Sequence, residues 1–185
     1  MTQEKQILFE RDELARTINR MGHEVVEKTD DPAALVLIGI RSRGVHLARR
    51  IARRVEEIAR IAPPVGVLDV TAYRDDRAQK PGGRQAGAVE ALVTVDDKTV
   101  VLIDDVIFRG RTIRAAMDAV AQFGQPRRIL VAVLVDRGSR QLPIRADIVG
   151  KNVEAGEGNR VNVMLEESDG IDQIAITRWH GRGAV

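Results

Sequence analysis

The chain of 185 residues contains no cysteine, one tryptophan, one tyrosine and three phenylalanines. Lacking cysteine, it can have no disulfide framework, no thiol nucleophile and no cysteine-ligated zinc. So few aromatic side chains leave no evident stacking platform for single-stranded nucleic acid. Apolar runs stop well short of membrane-spanning length, and I-L-V-A-V-L-V at 129–135 suits a buried strand instead. The first residues, M-T-Q-E-K-Q-I-L-F-E-R-D-E, are too charged for the apolar core of a secretory signal. A cytoplasmic location without a membrane partner is therefore expected. Net charge is only +2, and lysine is scarce, with 5 Lys against 24 Arg. Arginine forks suit phosphate or RNA, but a GC-rich gene produces the same bias, so the count alone decides nothing.

What is present fits one domain with a sizeable core: 44% hydrophobic and 30% charged residues. Leu14, Ile18, Met21 and Val25 recur at helical spacing and predict a helix over 11–28. A strand over 34–40, a helix over 44–60 and a strand over 65–71 follow. The segment 74–87 has no apolar periodicity and reads as a mobile loop, whose Arg74, Arg77, Lys80 and Arg84 could close as a lid over a polyanion. Strand 99–103, helix 111–123 and strand 128–135 continue the alternation, which argues for a parallel sheet with crossover helices. Short strands near 146–150, 160–165 and 173–177 are expected to form a small cap. The expected division is one domain over 1–178, its hood mainly 146–177, and a tail over 179–185.

The most informative run is V-V-L-I-D-D-V-I-F-R-G-R-T at 100–112. An apolar strand reaches two adjacent carboxylates and turns through Gly110 into a helix start. Asp104 and Asp105 are expected where the strand leaves the sheet, at the carboxyl edge where open α/β sheets bind ligands. Backbone N–H groups from Phe108 to Thr112 then form an anion cradle. Carboxylates for hydroxyl groups beside a nest for phosphate describe a sugar phosphate. Two strand-end acids can also do no more than cap a turn, although the whole string goes further than that. No Walker loop occurs, and a Rossmann fingerprint would place its glycines before the acid. Gly39-Ile40-Arg41-Ser42-Arg43-Gly44 repeats the strand-to-loop-to-helix pattern and could take a second anion at Ser42 and Arg43.

The string at 100–112 resembles the motif by which type I phosphoribosyltransferases bind 5-phosphoribosyl 1-diphosphate (PRPP). Three further segments narrow the likeness: D-V-T-A-Y-R-D-D at 69–76, V-D-R-G-S-R at 135–140, and L-P-I-R-A-D with G-K-N at 142–152. Together they closely resemble the PyrR family, pyrimidine-operon attenuation regulators that are also uracil phosphoribosyltransferases. The resemblance runs over almost the full chain. It implies an α/β protein of the type I phosphoribosyltransferase fold, a central parallel sheet flanked by helices with a small hood. It implies magnesium-dependent transfer of phosphoribose from PRPP to uracil, giving UMP and pyrophosphate. Binding of a pyr mRNA leader, favoured by UMP or UTP, and a homodimer or higher oligomer are implied as well.

Under this resemblance Asp104 and Asp105 take the ribose hydroxyls, with Asp105 a local acid–base group. The loop from Val106 and Ile107 through Phe108, Arg109, Gly110, Arg111 and Thr112 takes the 5′-phosphate. Ser42 and Arg43 take pyrophosphate, while Arg137 and Val161 flank the base, with Arg137 counted among the catalytic residues. The RNA face maps onto Asn19, Arg20, His23, Arg140, Arg145 and Lys151, and no protein side chain is assigned as a metal ligand. Arg109 departs from the family's small Thr or Ser, Ser139 from its common His, and Asn19 from its common Thr. E-A-G-E-G-N at 154–159 replaces a P-T-S-x-S-E-like stretch near the base pocket. Two other functions therefore stay open: an RNA-binding regulator with little or no turnover, and a phosphoribosyltransferase for another base.

Overall fold

The computed structural model describes residues 5–70, 93–156 and 158–178. Five strands, β2 (Leu35–Ile40), β3 (Val65–Leu68), β4 (Thr99–Ile107), β5 (Arg128–Asp136) and β6 (Ile148–Asn152), form one sheet in the order β3-β2-β4-β5-β6. Every neighbouring pair is parallel. Side chains along a strand alternate between faces, and here both faces are covered. Val101 and Ile103 enter a core with α1 (Arg11–Glu27) and α2 (Arg43–Ala59). Val100 and Leu102 enter a second core under α3 (Arg111–Val120). All four side chains are fully buried, each contributing about 1.5–3 kcal/mol of transfer free energy. This double burial explains why the strand sequence is continuously apolar.

A second sheet is antiparallel and three-stranded, in the order β1-β8-β7, from β1 (Lys5–Phe9), β7 (Asn159–Met164) and β8 (Gln173–Arg178). The short helix α4 (Glu166–Asp169) joins β7 to β8. These elements form the hood, which corrects two sequence expectations. The strand near 146–150 is not part of the cap. It is β6, and it extends the parallel sheet beside β5 with Ile148 fully buried. A crossover without a helix, over 137–147, hid that relation. The N-terminal strand β1, unrecognised in the sequence, supplies the hood's third strand instead.

The chain runs from β2 out to β3 on one side and returns to β4 on the other. That reversal opens a crevice at the carboxyl ends of β2 and β4. Gly44, in the first turn of α2, is what lets the helix close on β4. A Cβ there would stand 2.4 Å from the carbonyl oxygen of Ile103. Among the described residues no helix is long and apolar enough to cross a membrane.

Candidate active site

A cleft of about 330 Å³ opens at the end of β4, lined by Asp104, Val106, Ile107 and the run Phe108 to Ile113. Strand β4 continues to Ile107, so the two carboxylates lie within the strand and not beyond it, as the sequence suggested. Asp104 is 7% exposed, and its Oδ1 accepts the N–H of Asp105 at 2.9 Å. The Oδ1 of Asp105 likewise accepts the N–H of Val106 at 2.9 Å. Each acid is thus oriented by the backbone that follows it.

Gly110 precedes α3 with φ +88°, a left-handed conformation that side-chain-bearing residues rarely adopt. The helix has no side-chain cap. Its first N–H groups have no intrahelical acceptor, and they border the cleft together with the positive end of the helix dipole. Such an arrangement can hold an anion with backbone groups alone. Arg109 lines it without closing it. The residue is exposed, and its guanidinium lies 5.2 Å from the centre of the Phe108 ring.

Arg137 covers the same ring at 3.9 Å. Its Nη2 donates to the carbonyl of Asn159 at 3.1 Å, while its Nε is buried with no partner among the described residues. Burial, with the positive charge of Arg109 nearby, lowers the pKa of Arg137 from its usual value. The departure at 154–159 therefore reaches Arg137 through a main-chain carbonyl at Asn159, which any residue there would supply. Val161, two residues further along β7, is half-buried and packs on the core.

At the end of β2, Ser42 precedes α2 and makes no capping bond with its hydroxyl. Arg43 begins α2, close enough to Asp105 for the acid's charge to help raise the guanidinium pKa. The larger cause is a fork to Asp169 of α4, with Nη2 at 2.8 Å and Nε at 3.2 Å. That carboxyl also accepts the N–H of Leu165 and the Ser168 hydroxyl, and the guanidinium fork first of all pulls its pKa down to about 2. Seven residues along the same helix, Arg50 forks to Glu167 and Asp172, each with bonds of 2.7 and 2.9 Å. Arg11 of α1 pairs with Glu166. Sequence reading missed all these hood carboxylates, because their partners lie more than a hundred residues away.

The structure thus brings Ser42, Arg43, Asp104, Asp105 and the 106–112 loop to one crevice, with Arg137 against Phe108. The lid residues Arg74, Arg77, Lys80 and Arg84 lie outside the described residues, as does the tail. Asn19, Arg20 and His23 are exposed on α1. Arg20 donates to the carbonyls of Val149 and Gly150 at 3.1 and 2.7 Å, which places it beside β6 and its exposed Lys151. Arg145 is also exposed. Arg140 differs from these, because its side chain is only 19% exposed.

The phosphoribosyl transferase domain family matches residues 2–164. The Bifunctional protein PyrR of Chloroflexus aurantiacus is 49% identical over 178 residues, covering 96% of this chain and 97% of that protein. The chain belongs to the PyrR family. Another member, the Bifunctional protein PyrR of Corynebacterium glutamicum, is 46% identical over 95% of this chain and 94% of its own length. Among solved structures, the hypoxanthine phosphoribosyltransferase of Trypanosoma cruzi with the product IMP superposes at TM-score 0.71, covering 96% of this chain and 92% of that one. The enzyme from Staphylococcus aureus gives 0.68 over 91% and 90%. At 16% identity each, these two carry the fold alone. The type I phosphoribosyltransferase architecture expected from the sequence is the one observed.

Proposed function

We propose that this PyrR-family chain transfers phosphoribose from PRPP to uracil, giving UMP and pyrophosphate, and also binds a pyr mRNA leader under nucleotide control. One observation carries the enzymatic reading: a backbone anion nest and the oriented carboxylate of Asp104 line a single cleft at the sheet's switch point, with Asp105 next in the strand. The nest suits the 5′-phosphate, Asp104 and Asp105 the ribose hydroxyls, and Ser42 with Arg43 the departing diphosphate. The unpartnered Nε of Arg137 offers a donor to a carbonyl-bearing base stacked near Phe108. In the reaction the bond from the ribose C1′ to diphosphate oxygen breaks and a bond to uracil nitrogen forms, while the uracil N–H proton departs. No nucleophilic side chain is needed, because orientation and charge stabilisation do the chemistry.

Among the described residues no group of three or more His, Cys, Asp or Glu side chains could hold a metal ion. The adjacent carboxylates of β4 fit magnesium carried by the substrate, which needs one or two carboxylates besides phosphate oxygens. Asp104 and Asp105 are the residues beside which it would sit, and when bound it neutralises charge on the diphosphate. The RNA reading draws on exposed Asn19, Arg20, His23, Arg145 and Lys151, whose groups suit phosphate positioning and contact with unstacked bases. A cytoplasmic homodimer, or an assembly of dimers, belongs to the same proposal.

PRPP-dependent turnover against a panel of free bases is the test. Uracil alone should be converted. A chain that turns over no base but binds leader RNA in a UMP-dependent way would be a regulator only. Conversion of another base in preference would shift the substrate class.

A further inference from the structure

Arg43 is held from the far side of the crevice. It opens α2 at the end of β2, whereas Asp169 ends α4 in the hood. A guanidinium fork joins these residues, 126 positions apart: Nη2 meets Oδ1 at 2.8 Å and Nε meets Oδ2 at 3.2 Å. The carboxylate is itself fixed. Its Oδ2 also accepts the N–H of Leu165 at 2.9 Å and the Ser168 hydroxyl at 3.0 Å. The Arg43 fork, first of all, pulls its pKa down to about 2, so at neutral pH it is always the charged partner.

Two opposite effects follow for an anion at Arg43. The negative charge of Asp169 offsets part of the guanidinium's attraction. The fork also fixes the guanidinium plane, and a long side chain already ordered loses less entropy on binding. Arg43 and Asp169 are 34% and 22% exposed, so water and salt screen the first effect. Screening leaves the second untouched, and ordering wins. The fork occupies Nε and Nη2, and among the described residues Nη1 has no partner. Asp105 is near enough for its charge to reach the same guanidinium, which keeps Arg43 within the crevice.

We infer that Asp169, a hood residue, is a positioning residue for the diphosphate of PRPP, acting through Arg43. The inference rests on reading Ser42 and Arg43 as the diphosphate loop. It implies a selectivity that a purely structural hood contact would lack. PRPP and pyrophosphate, which carry the diphosphate, depend on Asp169, and UMP, which carries none, does not. A neighbouring contact supplies the control. Glu167, two residues earlier in α4, fastens the hood to the same helix α2, but through Arg50. Loosening the roof there leaves Arg43 in its fork.

The test measures affinities for PRPP, pyrophosphate and UMP by calorimetry, with magnesium present, in the full chain. The variants are Asp169→Asn, Glu167→Gln and Arg43→Ala. An asparagine oxygen can still accept the Leu165 N–H, so α4 keeps its shape, while the amide NH2 faces Arg43 and breaks the fork. Asp169→Asn should weaken PRPP and pyrophosphate about tenfold, or about 1.4 kcal/mol, and leave UMP within about twofold. Glu167→Gln should leave the ratio of the PRPP and UMP constants unchanged. A shift there as large as in Asp169→Asn overturns the inference, because loosening the hood would then suffice. Equal losses for all three ligands in Asp169→Asn, or unchanged constants, overturn it too. So does tighter pyrophosphate binding, which would mean that Asp169 competes with the anion. Should Asp169→Asn fail to fold, Asp169→Glu keeps the charge but displaces the fork by one methylene, and it must show the same selective loss. If Arg43→Ala leaves PRPP and pyrophosphate untouched, the diphosphate reading of the loop has failed instead, and that outcome is separable from failure at Asp169.

Discussion

Around Asp104 and Gly110 the constraints come from buried strands, backbone hydrogen bonds and one left-handed glycine. Around α4 they come from charged side chains: Arg43 on Asp169, Arg50 on Glu167 and Asp172, Arg11 on Glu166. The first kind of constraint is short-ranged and almost indifferent to salt or pH. The second is directional but partly solvated, so it weakens with both. A phosphoribosyl donor would thus meet a floor already in final form and a roof held by contacts that can be exchanged. Arg43 belongs to both regions, because it sits in the loop proposed to take pyrophosphate and grips the hood. Its fork uses Nε and Nη2, which leaves the Nη1 edge of the guanidinium for an incoming diphosphate.

The contrast breaks most sharply at Gly44. Gly44→Ala should cost about 2–3 kcal/mol by pushing α2 off the Ile103 carbonyl, and it should injure the floor and the hood anchor together. Denaturant unfolding would show it, and a loss below about 0.5 kcal/mol would mean the helix shifts freely.

Asp104→Asn separates function from fold. The amide oxygen can still accept the Asp105 N–H, so melting should change little. The catalytic efficiency kcat/KM for PRPP should fall about a hundredfold through loss of charge at the ribose. Steady-state kinetics at saturating uracil would check this, and an unchanged efficiency would remove the acid from the site.

On the hood, Arg50→Gln leaves Glu167 and Asp172 as neighbouring like charges. Arg50 is 17% exposed and Asp172 12%, so a loss of about 1–2 kcal/mol is expected after allowing for solvent. Hydrogen exchange should quicken in 165–178 and stay slow in β4. Uniform acceleration across both sheets would show that floor and roof unfold as one.

The smallest expected effect is a response to acid. Asp169 is held at about 2, below its usual 3.8, by the Arg43 fork. A carboxyl whose folded pKa is depressed stabilises above its unfolded pKa and loses that stabilisation as pH falls through the folded one. Glu167 is shifted in the same direction by Arg50. Hood fastening should therefore be constant from neutrality to about pH 4 and fade toward pH 2. Protection factors in α4, taken relative to intrinsic exchange at each pH, that changed between pH 7 and 5 would contradict this.

Features that depend on neighbours in sequence were legible beforehand. The buried strand before Asp104, the turn at Gly110 and the first helix follow from local periodicity and from what glycine allows. Those that depend on distant partners were not. In sequence Lys5–Phe9 is only part of a start too charged for a secretory signal, because its pairing with β8 is what makes it a strand. Ile148–Asn152 looked like cap because the chain returns to β5 without a helix. Asp169 was one acid among several until Arg43 appeared 126 residues earlier. Arg140 is held by the Asp136 carboxylate and by the carbonyls of Phe108, Gly138 and Ile144, main-chain contacts that no side-chain pattern announces.

The pairing of β1 with β8 also bears on how the protein is made. Lys5 lies opposite Thr177 and Ile7 opposite Ala175, so a strand that is synthesised before the whole parallel sheet pairs with one that is synthesised after it. Strands β2 to β6 and their helices can assemble during synthesis, since domains generally fold as units as they emerge. Until residues 173–178 follow, β1 must wait beside this nascent body with open hydrogen-bonding edges. Such a wait invites pairing with another chain. The charged Lys5 at its start and the exposed Arg11 beyond it are features that keep a strand of this kind from sticking. Closure of the smaller sheet thereby needs segments from both sides of the parallel sheet, β1 and residues 173–178.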